Sequence, residues 1–258
     1  MKPMRSVVES LEKSLSVTAD PKVAARATEL RMRGRLKERQ KVPREQIEGR
    51  WHHWHQQCLN LFSDKGLDPD PEAAFKLACF YADYRRWHAG ETFGHRFDKP
   101  KGIFLYGPFG SGKTEVLKTL VVHLRETVKA KFLFRQSRSM IEDYCSLDRT
   151  LEYYRYTDHQ SDVFLDDVGI ESAGLRYGMP WSIGDYLKDR YDRCSEYGRE
   201  GRKILFTTLV SSNFSSPREI KEKYGARTLS VLVDICDFVP YIHTDRRLGR
   251  LSERERRP

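Results

Sequence analysis

Lys101-Gly-Ile-Phe-Leu-Tyr-Gly107-Pro-Phe-Gly-Ser-Gly112-Lys113-Thr114 is the stretch that decides the fold class. An apolar run, Ile103 to Tyr106, passes straight into the spacing GxxxxGKT and then into a helix-forming segment. Strand, loop and helix in that order are the setting in which a Walker A loop works. Its glycines let backbone N–H groups curl around phosphate oxygens, and the helix turns its positive N-terminal end toward them. On this reading Gly107, Pro108, Phe109, Gly110, Ser111, Gly112, Lys113 and Thr114, with Glu115 behind them, form the nucleotide-binding set. Lys113 neutralises the β- and γ-phosphates and the Thr114 hydroxyl ligates Mg²⁺, so ATP and Mg²⁺ are the expected cofactors.

Downstream, Val163-Phe164-Leu165 runs into Asp166-Asp167, an apolar strand tipped by two acids. In a Walker B reading Asp166 holds Mg²⁺ and Asp167 orients the attacking water, which makes Asp167, with Lys113, a candidate catalytic residue. The bland alternative is a capped strand end. A third apolar run, Ile204-Leu205-Phe206-Thr207-Thr208, is expected as the strand that carries a polar sensor toward the γ-phosphate, with Thr208 or Asn213 in that role.

Short apolar strands alternating with helices predict an α/β domain with a parallel sheet. It is expected over residues 71–245, behind a basic helical extension at 1–70 and ahead of an Arg-rich tail at 246–258. Within 1–70, helix is predicted over 3–41 and again from Arg44 to Phe62, with Pro43 between them. A further helix is predicted from Glu72 to about Gly90.

With 258 residues, 39% of them hydrophobic, the chain is long enough for one large domain and an extension. A charged fraction of 32%, with no apolar run near 20 residues, excludes a membrane-spanning protein. Charges throughout Met1 to Asp20 exclude a secretory signal, so a cytoplasmic location is expected. Five scattered cysteines, Cys58, Cys79, Cys145, Cys194 and Cys236, have no CxxC spacing and read as reduced thiols.

The net charge of +9 is uneven. Residues 1–50 hold 13 Lys/Arg against 7 Asp/Glu and residues 246–258 hold 6 Arg against 2 Glu, while the middle is nearly neutral. Basic ends around a neutral core suit contact with a polyanion such as DNA; the alternative is solvated helix faces. Trp51-His-His-Trp-His55 has metal-ligand residue types, but on a helix its three histidines do not share one face, and no second ligand cluster completes a zinc site. The tryptophans read as packing residues or as a partner-facing surface, with stacking on single-stranded bases as an alternative.

Taken with the Walker motifs, FLDDVGIES and the following RYG, GDYLKDRYDRC, ILFTT and EIKEKYGARTLSVL resemble AAA+ ATPases of the DnaC/IstB type. These are helicase loaders and transposition helper ATPases, and the matching stretches cover about residues 99–247. The resemblance implies a P-loop AAA+ sheet flanked by helices, and an Mg²⁺-dependent ATPase that assembles into a homo-oligomer on ATP. It also implies that Arg227 is an arginine finger serving a neighbouring subunit, and that Arg247 or its neighbour Arg246 acts as a second sensor.

The function so implied is helicase-loader-like work in DNA replication, with a replicative helicase and single-stranded DNA as partners. The alternative is an IstB-like ATPase that regulates a transposase on duplex DNA. A small-molecule kinase and a nucleotide-gated DNA-binding module that does not hydrolyse ATP are the rivals from other classes. The sequence departs from the family pattern twice: four residues appear inserted between Thr207-Thr208 and Asn213, and Ser230-Val231-Leu232 stands where the family often has a second arginine.

Overall fold

In the computed structural model, residues 44–91, 99–146, 153, 154, 158, 161–176, 179–198 and 201–242 are described. The expected helix over 3–41 and the tail with Arg246 and Arg247 lie outside them.

Helix α1 (Arg44–Asp64) and helix α2 (Pro71–Ala89) form an antiparallel pair. The start of α2 is fixed locally: the Asp70 side chain accepts a hydrogen bond from the Ala73 N–H and Pro71 occupies the first turn, where a missing donor costs nothing. Gly90, in the left-handed conformation, ends it.

The main sheet has five parallel strands: β1 (Gly102–Tyr106), β2 (Phe132–Gln136), β3 (Asp162–Val168), β8 (Thr208–Ser212) and β9 (Cys236–Pro240). Their order is β2-β3-β8-β1-β9, so β8 lies between the Walker A strand and the Walker B strand. Two short hairpins, β4 (Gly174–Arg176) with β5 (Met179–Trp181) and β6 (Ser195–Gly198) with β7 (Gly201–Ile204), stand apart from it. The remaining helices are α3 (Lys113–Val128), α4 (Ser137–Ser146), α5 (Ile183–Cys194), α6 (Pro217–Tyr224) and α7 (Ala226–Ile235).

Alternation along the strands divides the core into two layers. Ile103, Leu105, Phe164, Leu209 and Val239 pack with α1, α2 and α3 on one face, while Phe104, Val163, Leu165 and Val210 pack with α4, α5 and α7 on the other. Trp54, Cys58 and Phe62 of α1 belong to the first of these layers. The expected boundary at residue 70 therefore falls inside one continuous core, and the described part of the extension is a layer of the α/β domain. The reason is that the apolar stripe of α1 packs on α2 and shares one buried cluster with Leu117, Leu120 and Leu124 of α3.

The third strand also differs from expectation. It is Thr208–Ser212, and Ile204-Leu205-Phe206 precedes it, with Ile204 ending β7. All five residues of β8 are buried, because it is hydrogen-bonded on both edges and covered on both faces. Asn213 thus follows the last residue of the strand directly, and the apparent four-residue insertion is the strand itself. Among the described residues, no helix is long and apolar enough to cross a membrane.

Candidate nucleotide site

The site is built at the C-terminal ends of β1, β3 and β8, where a parallel sheet of this kind receives ligands. Gly107 leaves β1 at φ +151°, and a Cβ there would lie 2.2 Å from the Tyr241 carbonyl oxygen, so only glycine fits beside β9. The loop returns through Gly110 and Gly112, both with positive φ, into α3, whose first residue is Lys113. Pro108 and Phe109 are exposed at its tip, Ser111 is buried, and Glu115 is exposed in the first turn of α3.

Lys113 is nearly buried and donates to the Gly107 carbonyl at 3.0 Å, to the Pro108 carbonyl at 2.6 Å and to Ser111 Oγ at 3.2 Å. Burial lowers its pKa to about 8 against the opposing pull of Asp167 and Asp166. The site thus holds a cation in a pocket that disfavours its charge, which is the electrostatic state a polyanionic ligand relieves.

Thr114 Oγ1 donates to Asp166 Oδ1 at 2.7 Å and lies 3.5 Å from Ser211 Oγ. Ser211 also donates to Asp166 Oδ1, in a short contact. A carboxylate and two hydroxyls on one point are hard oxygen ligands of the kind Mg²⁺ takes.

Asp167 adopts φ +58°, rare for a residue with a Cβ, at a bulge in the β3–β8 register between Leu165 and Val168. Three bonds hold it there. Its N–H donates to Ser211 Oγ at 3.1 Å, its carbonyl accepts from Ser137 Oγ at 2.7 Å, and its Oδ1 accepts from Asn213 Nδ2 at 3.2 Å. The Asp167 carboxylate lies near enough to Lys113 to favour its charged form.

Of the two sensor candidates, Asn213 is at the site and Thr208 is not. Thr208 begins β8, at the opposite end of the sheet, where its hydroxyl accepts from Arg190 Nε at 2.7 Å. Sequence reading missed Ser211, which bridges Asp166 and Asp167; a serine inside an apolar parallel strand was the available signal. Arg227 is exposed as the second residue of α7, and Arg247 lies outside the described residues. Trp51 Nε1 donates to Asp83 Oδ1 at 3.0 Å and its ring stacks on His55, so this end of the Trp/His cluster secures α1 to α2.

A P-loop opening a helix, an acid-tipped strand, and an additional strand between them define a P-loop ATPase fold of the AAA+ type. Among solved structures the chain is similar to DnaI, with a TM-score of 0.51 and 20% identity over 74% of this chain and 93% of that one. It is also similar to the DnaC helicase loader, with a TM-score of 0.48 and 15% identity over 69% and 94%, and to AMPPCP-bound DnaA from Aquifex aeolicus, with 0.41 and 16% over 61% and 45%. No family model and no curated protein matches the sequence. At these identities the likeness speaks to the fold alone, and the DnaI match supports it.

Proposed function

We propose that this chain binds and hydrolyses ATP with Mg²⁺ and acts in DNA replication as a helicase-loader-like AAA+ factor on single-stranded DNA. The observation that carries the ATPase reading is the meeting of Lys113, Thr114, Asp166, Asp167 and Asn213, drawn from three strand ends, at one point. Lys113 and the loop N–H groups would take the phosphates, and Thr114 and Asp166 would hold Mg²⁺, which supplies charge neutralisation at the transferred phosphoryl group. Asp167, held by Asn213, would orient water, and Asn213 would report the γ-phosphate to it.

Arg227, exposed at the start of α7, is read as the finger that completes a neighbour's site, so turnover should depend on assembly. The replication role rests on the motif resemblance to DnaC-type loaders, in agreement with the DnaI-like fold. In the full chain the basic ends supply the DNA contact, and the partner is a replicative helicase.

The test uses the Asp167→Asn variant with ATP and Mg²⁺, which should slow hydrolysis by at least about a hundredfold and hold assembled complexes. Co-purification with the replicative helicase, lost in Lys113→Ala, supports the loader reading; recovery of a transposase instead moves the function to the IstB-like one. Affinity for single-stranded DNA should fall linearly in log–log form with salt. A flat salt response removes DNA contact by the basic ends.

A further inference from the structure

The loop that leaves the Walker B strand is fastened to the helix pair that presents Arg227. Gly169 and Glu171, just after β3, meet Lys223 and Tyr224, the last two residues of α6. Lys223 Nζ donates to the Gly169 carbonyl at 2.5 Å and to the Glu171 carbonyl at 2.6 Å. The Tyr224 hydroxyl donates to Glu171 Oε1 in a short contact, and the Gly169 N–H donates to Glu171 Oε2 at 2.9 Å. Glu171 is buried at 5% exposure, so its bond from Tyr224 is largely sheltered from water and worth more than a surface pair, while Lys223 donates from an exposed position.

The other side of the same junction belongs to the sensor strand. Phe214, next to Asn213, lies against Gly169 so closely that a Cβ there would come within 2.8 Å of the ring, and its ring meets Tyr224 edge-on at 5.9 Å. Ser212 Oγ donates to the Val168 carbonyl at 2.6 Å, tying β8 to β3 one residue before the loop. Beyond Tyr224 the chain turns at Gly225, and Thr228 Oγ1 reaches back to the Tyr224 carbonyl at 2.9 Å. Arg227 lies between these two anchors. Its helix start is therefore held through Tyr224 to Glu171, four residues after Asp167, and to Phe214, directly after Asn213.

We propose that Glu171, Lys223 and Tyr224 are positioning residues, a latch that sets the start of α7 and with it the reach of Arg227 into a neighbouring subunit's ATP site. The proposal rests on the reading of Arg227 as a finger acting in trans. It adds three residues whose work is to place that arginine relative to the chain's own Walker B loop. Displacing a catalytic group by about 1 Å can cost up to a hundredfold in rate, so loss of the latch should register in turnover and not in ATP affinity.

Tyr224→Phe removes one hydroxyl and keeps the ring on Phe214. Under assembling conditions it should lower ATP hydrolysis by roughly tenfold to a hundredfold, with ATP affinity in the isolated subunit within about twofold of wild type. Glu171→Gln, measured alongside, should act in the same direction. The decisive readout is subunit mixing. Asp167→Asn subunits keep an intact latch and finger but hydrolyse little, so adding them to Tyr224→Phe should restore turnover at the Tyr224→Phe sites, as it should for Arg227→Ala.

Rescue of Arg227→Ala without rescue of Tyr224→Phe overturns the latch, because the defect would then lie in the variant's own site. Wild-type turnover in Tyr224→Phe overturns it as well. Failure to rescue either variant shows that Arg227 does not act in trans, and the latch falls with that reading.

Discussion

Thr114 and Asp166, 52 positions apart in the chain, meet through a hydrogen bond of 2.7 Å between the first turn of α3 and the tip of β3. This contact joins the Walker A and Walker B halves directly, and Ser211 of β8 approaches the same carboxylate oxygen. A divalent cation bound here would exchange a hydroxyl–carboxylate hydrogen bond for two oxygen ligands, Thr114 Oγ1 and Asp166 Oδ1. Thr114→Ala removes one of them. Its affinity for an ATP analogue should be close to wild type without Mg²⁺ and roughly tenfold or more weaker with it, measured by titration with and without a chelator.

The lowered pKa of Lys113 gives ATP binding a pH signature. With a free-state pKa of about 8, the ammonium is charged below that pH and increasingly neutral above it. Phosphates favour the charged form, so the bound pKa is higher and binding above pH 8 takes up a proton. Affinity should be flat with respect to this group below pH 8 and fall as pH rises beyond it, with a slope approaching one log unit per pH unit. Calorimetry at pH 8.5 in buffers of different ionisation enthalpy should show proton uptake; equal heats in all buffers would exclude the linkage.

Ser211 supports both acids, donating to Asp166 and accepting from the Asp167 N–H at 3.1 Å. Ser211→Ala leaves a partly buried amide without its acceptor, at a cost of about 1 kcal/mol in unfolding free energy. Because that bond also helps to hold Asp167 at positive φ, hydrolysis should fall by more than ATP affinity does. Chemical denaturation and steady-state turnover on the same preparation test both parts.

Arg190 marks the opposite end of the sheet. It is fully buried, donating to Thr208 Oγ1 at 2.7 Å and to the Asp158, Ser161 and Thr207 carbonyls at 2.6, 2.9 and 3.0 Å. Asp158 is itself gripped by Arg135 and by the Tyr186 hydroxyl. Arg190→Met strands several acceptors at once and should destabilise the domain by at least about 3 kcal/mol. At temperatures where the variant stays folded, ATP affinity should be unchanged, which separates this network from the site above it.

The Walker A segment, the Asp166-Asp167 pair and the parallel α/β class were legible in the sequence because each is written in contiguous residues. A strand, a glycine-rich turn and a helix start need only local geometry, and phosphate chemistry restricts which residues serve there. The third strand was misplaced by a few residues for a physical reason. Ile204-Leu205-Phe206 looks more like a buried strand than Leu209-Val210-Ser211-Ser212, but apolarity measures burial only where polar groups lack partners. Here Ser211 and Ser212 spend their hydroxyls on Asp166 and on the Val168 carbonyl, so two serines are at home in a fully buried strand.

The role of α1 was hidden for a related reason: an amphipathic helix shows that it has an apolar face, not what covers it. Sequence by itself determined that this chain carries a P-loop, an acid-tipped strand and a sheet to hold them, since those follow from short-range pattern. Only the tertiary structure decided that Asn213 and not Thr208 reaches the site, that Ser211 bridges the two acids, and that Glu171 is bound to Tyr224. Those pairings join residues 44 to 53 positions apart, and their choice depends on strand order and register, which no local stretch encodes.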